Sequence, residues 1–195
     1  MMEQQEQIIL PSLEELEQEA ERVEQQHAFQ SVLRSTFYIL ITVAAIAVLI
    51  SVYYMPVLHI YGTSMTPALN NGELVAAIKT TDLKHGDIVA FYYNNKLLVK
   101  RVVGVPGDWI DLKENGDFYV NGKLLEEPYI EENAFGDCNI TLPVQVSESR
   151  YFLVGDHRSV SIDSRNTAVG FVSEEQIVGK LVFRLWPYAS IGKLK

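Results

Sequence analysis

From residue 35 to residue 72 the chain carries no aspartate, glutamate, lysine or arginine, and this gap constrains the fold more than any other feature. Its first half reads Phe37-Tyr-Ile-Leu-Ile-Thr-Val-Ala-Ala-Ile-Ala-Val-Leu-Ile-Ser-Val-Tyr-Tyr-Met55. About 20 such residues rise roughly 30 Å as a helix, the thickness of a bilayer's hydrocarbon core, and aromatic residues stand at both ends where interfacial anchors belong. The spacing predicts a transmembrane helix over 36–55. A cleaved secretory signal would be shorter, closer to the terminus and followed by a small-x-small site, whereas this stretch starts late and ends in Tyr53-Tyr54-Met55. A wholly buried core helix of this length would be a rare use of a chain of 195 residues.

The charge is concentrated on one side of the gap. Residues 1–34 hold Glu3, Glu6, Glu14, Glu15, Glu17, Glu19, Glu21 and Glu24 against Arg22 and Arg34, which is −6 of the formal −9. Leu13, Leu16, Ala20 and Val23 recur at helical spacing within this polar stretch, so 1–35 reads as an acidic helical tail, solvated and able to pair with itself. Arg34 is the one cation flanking the span there, and acidic residues count little for orientation, so charge alone leaves the topology open. The acidic balance argues against nucleic acid as a partner. Cys138 is the single cysteine, so the fold has no intramolecular disulfide and no cysteine-based zinc cluster.

Beyond the span, residues 56–195 show short apolar runs broken by turn signals, the pattern of an antiparallel β domain. Strands are predicted at 73–79, 87–93, 96–104, 108–112, 117–121, 123–125, 151–154 and 177–185. Glu114-Asn115-Gly116-Asp117 and Asn121-Gly122 suit tight hairpins, and 126–150 reads as a long connection without period.

Three segments carry chemistry. The first is Ile60-Tyr61-Gly62-Thr63-Ser64-Met65-Thr66-Pro67, in which Ser64 is a loop hydroxyl and most such hydroxyls are ordinary surface. The second is Leu98-Val99-Lys100-Arg101-Val102-Val103-Gly104-Val105-Pro106-Gly107-Asp108, where strand alternation puts Lys100 on one face with Leu98 and Val102. A lysine there either snorkels at a strand edge or is a desolvated amine fit to act as a base. The third is Gly155-Asp156-His157-Arg158-Ser159-Val160-Ser161-Ile162-Asp163-Ser164-Arg165, read either as a solvated loop or as a hydrogen-bonded support.

Together and in this order, Gly-x-Ser-Met-x-Pro, Lys-Arg-Val-x-Gly-x-Pro-Gly-Asp and Gly-Asp-x-Arg-x-x-Ser-x-Asp-Ser-Arg resemble type I signal peptidase, over about residues 36–186. The resemblance implies a mainly β, antiparallel catalytic domain behind one N-terminal transmembrane helix, lying in the plasma membrane with its N-terminus cytoplasmic and its catalytic domain extracytoplasmic. It implies Ser64 as nucleophile and Lys100 as general base, Ser161 orienting the amine, and Asp163 with Arg165 as an ion pair beneath. The substrates implied are signal-peptide-bearing preproteins cut after small-x-small sites, beside a lipid bilayer, with no metal or organic cofactor. Two positions depart from the family pattern: His157 stands where relatives carry Asn, and Gly62 stands where some carry a serine that helps bind the oxyanion. The first raises a Ser-His triad, disfavoured because that position needs no base in relatives; the second leaves backbone donors, chiefly the Ser64 N–H, for the oxyanion.

The chemistry fits the residues. A serine needs a base to lose its hydroxyl proton, and lysine serves only as a free amine. A solvated lysine with pKa near 10.4 is neutral about once in 2,500 at pH 7, a handicap of roughly 4.6 kcal/mol that burial can reduce. A bulky neighbourhood of Ile60, Tyr61, Met65 and Leu69, free of charge, predicts a shallow apolar site that admits small side chains. Two other classes share features. A self-cleaving Ser-Lys regulator would lack the span at 36–55, and a catalytically silent membrane-tethered binding module would lack Ser64 or Lys100.

Overall fold

The structure, a computed structural model, describes residues 13–194. The chain runs as α1 (Leu13–Tyr54), β1 (Val57–His59), β2 (Leu74–Ile78), β3 (Ile88–Tyr93), β4 (Lys96–Gly104), β5 (Trp109–Leu112), β6 (Phe118–Val120), β7 (Lys123–Leu124), β8 (Val144–Gln145), β9 (Arg150–Val154), β10 (Val172–Ser173), β11 (Ile177–Trp186) and β12 (Gly192–Lys193). It divides after Ile50 into two compact units.

The acidic stretch and the apolar stretch form one continuous helix rather than two, because nothing between them breaks the period: there is no proline or glycine from Ser12 to Met55. Within α1, Phe29–Tyr54 is long and apolar enough to cross a membrane, with a mean hydropathy of 2.3 and no part of that window buried. Its 26 residues rise about 39 Å, more than the roughly 30 Å of hydrocarbon a span must cover. The side chains of Leu13, Leu16, Ala20 and Val23, and residues 1–12 of the tail, lie outside the described residues.

Residues 57–194 are built on antiparallel sheets. One has the order β1-β2-β11-β3-β4-β9-β10, with β12 added to β11, and the other has the order β7-β6-β5-β8. The predicted strands appear with their ends shifted by a residue or two. Asn94-Asn95 turns β3 into β4 and Asn121-Gly122 turns β6 into β7, each with both φ angles positive, the geometry of the tightest hairpins. Four strands escaped prediction: β1, β8, β10 and β12 are two or three residues long, too short to show a period.

Strand β4 matters most for the site. It pairs with β3 over Lys96–Arg101 and changes partner at Arg101, pairing with β9 from there to Gly104. From Lys96 to Lys100 its second edge is therefore unpaired, while from Lys100 onward both of its faces are buried. One core layer, with Ile60, Met65, Leu69, Val75, Ile88 and Leu181, lies under the loop between β1 and β2. A second holds Phe118 and Phe152, their rings 6.2 Å apart, between β4, β9 and the smaller sheet. Each fully buried Leu, Val or Phe contributes about 1.5–3 kcal/mol, which makes these layers the rigid floor under the loops.

Candidate active site

Ser64 lies in the loop from β1 to β2, and that loop is fastened at every level. Ile60 and Glu73 tie its base (Ile60 N to Glu73 O, 2.8 Å), and Gly72 N donates back to Ile60 O at 2.8 Å. Gly62, at φ +87°, donates its N–H to Asn71 Oδ1 at 2.9 Å. Thr66 Oγ1 donates to Thr63 O at 2.8 Å, and Arg184 Nη2 donates to Ala68 O at 2.5 Å. Met65 and Leu69 drop into the core beneath. The Ser64 carbonyl accepts the His157 N–H at 3.1 Å, so the third motif grips the nucleophile loop through its backbone.

Lys100 comes from β4 with its amine 2.7 Å from Ser64 Oγ, and its side chain is almost fully buried, at 4% exposure. Burial dominates its electrostatics and, helped by Arg165 and opposed by Asp163 and Asp156, lowers its pKa from the usual 10.5 to about 8. The neutral fraction at pH 7 rises from about one in 3,000 to about one in ten, a gain near 3 kcal/mol in base availability.

Ser161 is buried but has no hydrogen-bond partner among the described residues, and the amine's hydrogen bond goes to Ser64 instead. Its hydroxyl packs against Gly155, close enough to the Asp163 carboxylate to favour that group's charge. Asp163 and Arg165 are both fully buried and form a two-pronged pair, Nε to Oδ1 and Nη2 to Oδ2, each 2.9 Å. Burial works to raise the Asp163 pKa, but Arg165 and the Gly155 N–H outweigh it and hold the carboxyl below its usual range. Gly155 itself admits no side chain: a Cβ there would come within 2.6 Å of the Ser64 carbonyl oxygen and collide with Ser161.

His157 points elsewhere. Its Nδ1 lies 3.1 Å from Thr66 Oγ1 and 3.3 Å from Thr63 O, and no hydrogen bond joins it to Ser64 Oγ or Lys100. The Thr66 hydroxyl already donates to Thr63 O, so Nδ1 is the donor and carries the proton. Gly62 spends its N–H on Asn71, while the Ser64 N–H has no acceptor among the described residues. No group of three or more His, Cys, Asp or Glu is placed to hold a metal ion among the described residues.

A cleft of about 560 Å³ leads to Ser64, walled by residues 57–62 on one side and 96–99 on the other. Both walls are strands with an unpaired edge: β1 pairs with β2 alone, and β4 lacks a second partner before Arg101. The cleft is less uniformly apolar than the charge-free interval suggests, because Lys96 from β4 and His59 reach it. Leu69, expected beside the nucleophile, belongs to the core and leaves Ile60, Tyr61 and Met65 at the cleft.

Three features were invisible in sequence. Arg101 and Asp156 form a buried two-pronged pair (2.9 and 2.6 Å). Arg158 forms another with Glu127 (2.8 and 2.5 Å), and Tyr129 lays its ring 3.8 Å from the Arg101 guanidinium. Glu127 and Tyr129 sit in a stretch with no periodicity, and what calls for them is the burial of the arginines they meet, which only the structure shows.

A hydroxyl facing a desolvated amine on a rigid β scaffold, with a free backbone N–H beside it, is an arrangement suited to amide hydrolysis through serine. The family model described as "Signal peptidase, peptidase S26" matches residues 33–186. "Signal peptidase IB" of Staphylococcus aureus (strain Mu50) is 43% identical over 151 residues, covering 67% of this chain and 77% of the relative. "Signal peptidase I" of Bacillus licheniformis is 35% identical over 170 residues, covering 79% and 89%. A solved signal peptidase I from Enterococcus faecalis V583 is 28% identical with a TM-score of 0.42, covering 51% of this chain and 97% of that one. The chain belongs to the signal peptidase family, peptidase S26, and is a serine peptidase acting on signal-peptide-bearing preproteins.

Proposed function

We propose that the chain cleaves signal peptides with a Ser64–Lys100 dyad, after small-x-small sites, from a single-pass position in the plasma membrane. The observation that carries this reading is the 2.7 Å approach of the Lys100 amine to Ser64 Oγ with its pKa lowered to about 8. In the neutral form, Lys100 takes the Ser64 hydroxyl proton as Oγ attacks the scissile carbonyl carbon. The Ser64 N–H holds the resulting oxyanion. As the C–N bond breaks, the Lys100 ammonium returns its proton to the departing amine of the mature protein. A water then loses a proton to Lys100 as it attacks the acyl ester; the acyl C–Oγ bond breaks, Lys100 returns that proton to Ser64 Oγ, and the signal peptide leaves as a carboxylic acid that ionises in solvent.

The unpaired edges of β1 and β4 favour a substrate bound as an extended strand between them, its alternate side chains facing the enzyme. The first and third residues before the cut then meet Ile60, Tyr61 and Met65, which suits Ala-sized groups. The helix Phe29–Tyr54 is the membrane anchor in this reading, with 1–35 as the cytoplasmic tail, 36–55 as the span and 56–195 as the extracytoplasmic peptidase domain. Ser64 then stands nine residues along the chain beyond the end of the span.

The test is cleavage of one preprotein by the detergent-solubilised enzyme, with Ser64→Ala, Lys100→Met and Lys100→Arg beside the wild type. All three variants should fold and lose nearly all turnover, the last because a guanidinium cannot accept the proton. Substantial cleavage by folded Lys100→Met refutes the dyad.

A further inference from the structure

The connection between β7 and β8 makes close contact with all three arginines of the second and third motifs. Glu127, with a side chain 5% exposed, accepts from both terminal nitrogens of Arg158, Nη1 and Nη2, at 2.8 and 2.5 Å. Tyr129 donates its hydroxyl to Glu127 Oε1 at 2.8 Å and presents its ring to Arg101 at 3.8 Å. A few residues on, the Phe135 carbonyl accepts Arg165 Nη1 at 2.9 Å. These arginines act on the dyad's framework from different sides. Arg101 follows Lys100 in β4 and binds Asp156. Arg158 Nε donates to Gly155 O at 3.1 Å, and between Asp156 and Arg158 the His157 N–H holds the Ser64 carbonyl.

From this arrangement we infer that Glu127 and Tyr129 are positioning residues for the peptidase reaction. They join Arg101 on the base's strand to Arg158 on the segment that grips the nucleophile. The inference rests on the dyad reading and extends it to residues outside all three motifs. Neither side chain touches the reacting atoms. Their effect passes through two bidentate pairs, Arg101–Asp156 and Arg158–Glu127, that cannot move independently while Tyr129 bridges them. Loosening this bridge leaves the Arg101–Asp156 pair alone to hold the Lys100 strand against the 155–157 segment, without the cover of Tyr129 and Glu127, and so widens the play between them. Water then reaches the amine, its desolvation falls, and its pKa climbs back towards 10.5.

The experiment compares kcat and KM against pH for the full-length enzyme in detergent, using one signal-peptide substrate, with Tyr129→Leu, Tyr129→Phe and Glu127→Gln. Tyr129→Leu removes both the ring face and the hydroxyl. It should lower kcat at pH 7 about tenfold with KM within twofold, and move the acid limb up by half a pH unit or more. Tyr129→Phe keeps the face on Arg101 and should recover most of that loss. Glu127→Gln should resemble Tyr129→Leu; if it fails to fold, the two Tyr129 variants decide. A folded Tyr129→Leu with the wild-type limb, or with activity reduced by one factor at every pH, overturns the positioning role alone. A wild-type profile without an acid limb overturns the dyad reading and this inference with it.

Discussion

His157 Nδ1 lies 3.1 Å from Thr66 Oγ1, so this imidazole, where the third motif meets the nucleophile loop, is committed to holding that loop's backbone and hydroxyl rather than to Ser64 Oγ. An asparagine amide can donate the same hydrogen bond, and the His157 N–H that grips the Ser64 carbonyl does not depend on the side chain. His157→Asn should therefore keep kcat/KM within a few-fold, read in a preprotein cleavage assay. A hundredfold loss in a folded variant would assign the base to histidine.

Gly155 is fixed by space rather than by backbone angle. A Cβ there meets the Ser64 carbonyl oxygen at 2.6 Å, and a backbone atom cannot swing away as a flexible side-chain tip can. Gly155→Ala should push the Ser64 loop off the amine, costing about 1–3 kcal/mol in stability and most of the activity. Urea unfolding and cleavage rates measure the two losses; unchanged activity would show that the loop has slack.

The sequence made the longer strands and the unusual lysine legible for a physical reason. Lys100 stood out because a strand's alternation put an ammonium on an apolar face, and β4 is long enough for that alternation to be read. Its burial beside Ser64 then follows from the change of partner at Arg101. Glu127 and Tyr129 gave no such signal: their roles are set by contacts to arginines about 30 residues away in sequence, and a loop without period carries no local record of them. Ser161 illustrates the opposite limit. The motif marked it as the orienting hydroxyl, but side-chain direction within a loop depends on packing, and here Oγ rests against Gly155. The single helix replaced two predicted segments because composition changes at residue 35 while backbone preference does not.

Keeping an amine buried has a cost in stability whose sign follows from its lowered pKa. Below about pH 8 Lys100 is protonated in both states and the folded state bears the full penalty; between 8 and 10.5 the unfolded state alone binds the proton, so stability rises with pH and levels off above 10.5. Lys100→Met should therefore stabilise the protein by about 1–3 kcal/mol at pH 7, and this gain should vanish above pH 10.5. Thermal unfolding of both proteins at the two pH values tests it. A variant less stable than the wild type at pH 7 would contradict the account of Lys100 as a desolvated group.

Specificity should follow the geometry of a strand held between β1 and β4. In a panel of precursor peptides, Leu in place of Ala at the first or third position before the cut should reduce kcat/KM by roughly tenfold to over a hundredfold, while the second position tolerates any side chain. Equal cleavage of Ala and Leu peptides would exclude this mode of binding.

The claim on which the mechanism turns is that Lys100 titrates far below an ordinary lysine, so that an appreciable fraction of it is a neutral base near physiological pH. It is measured most directly by titrating the lysine side chains of the folded enzyme in detergent by NMR with 13Cε-labelled lysine, identifying the Lys100 signal by its loss in Lys100→Met. The account predicts that this signal titrates near pH 8, well separated from the exposed lysines. A Lys100 midpoint near 10.5 would contradict it.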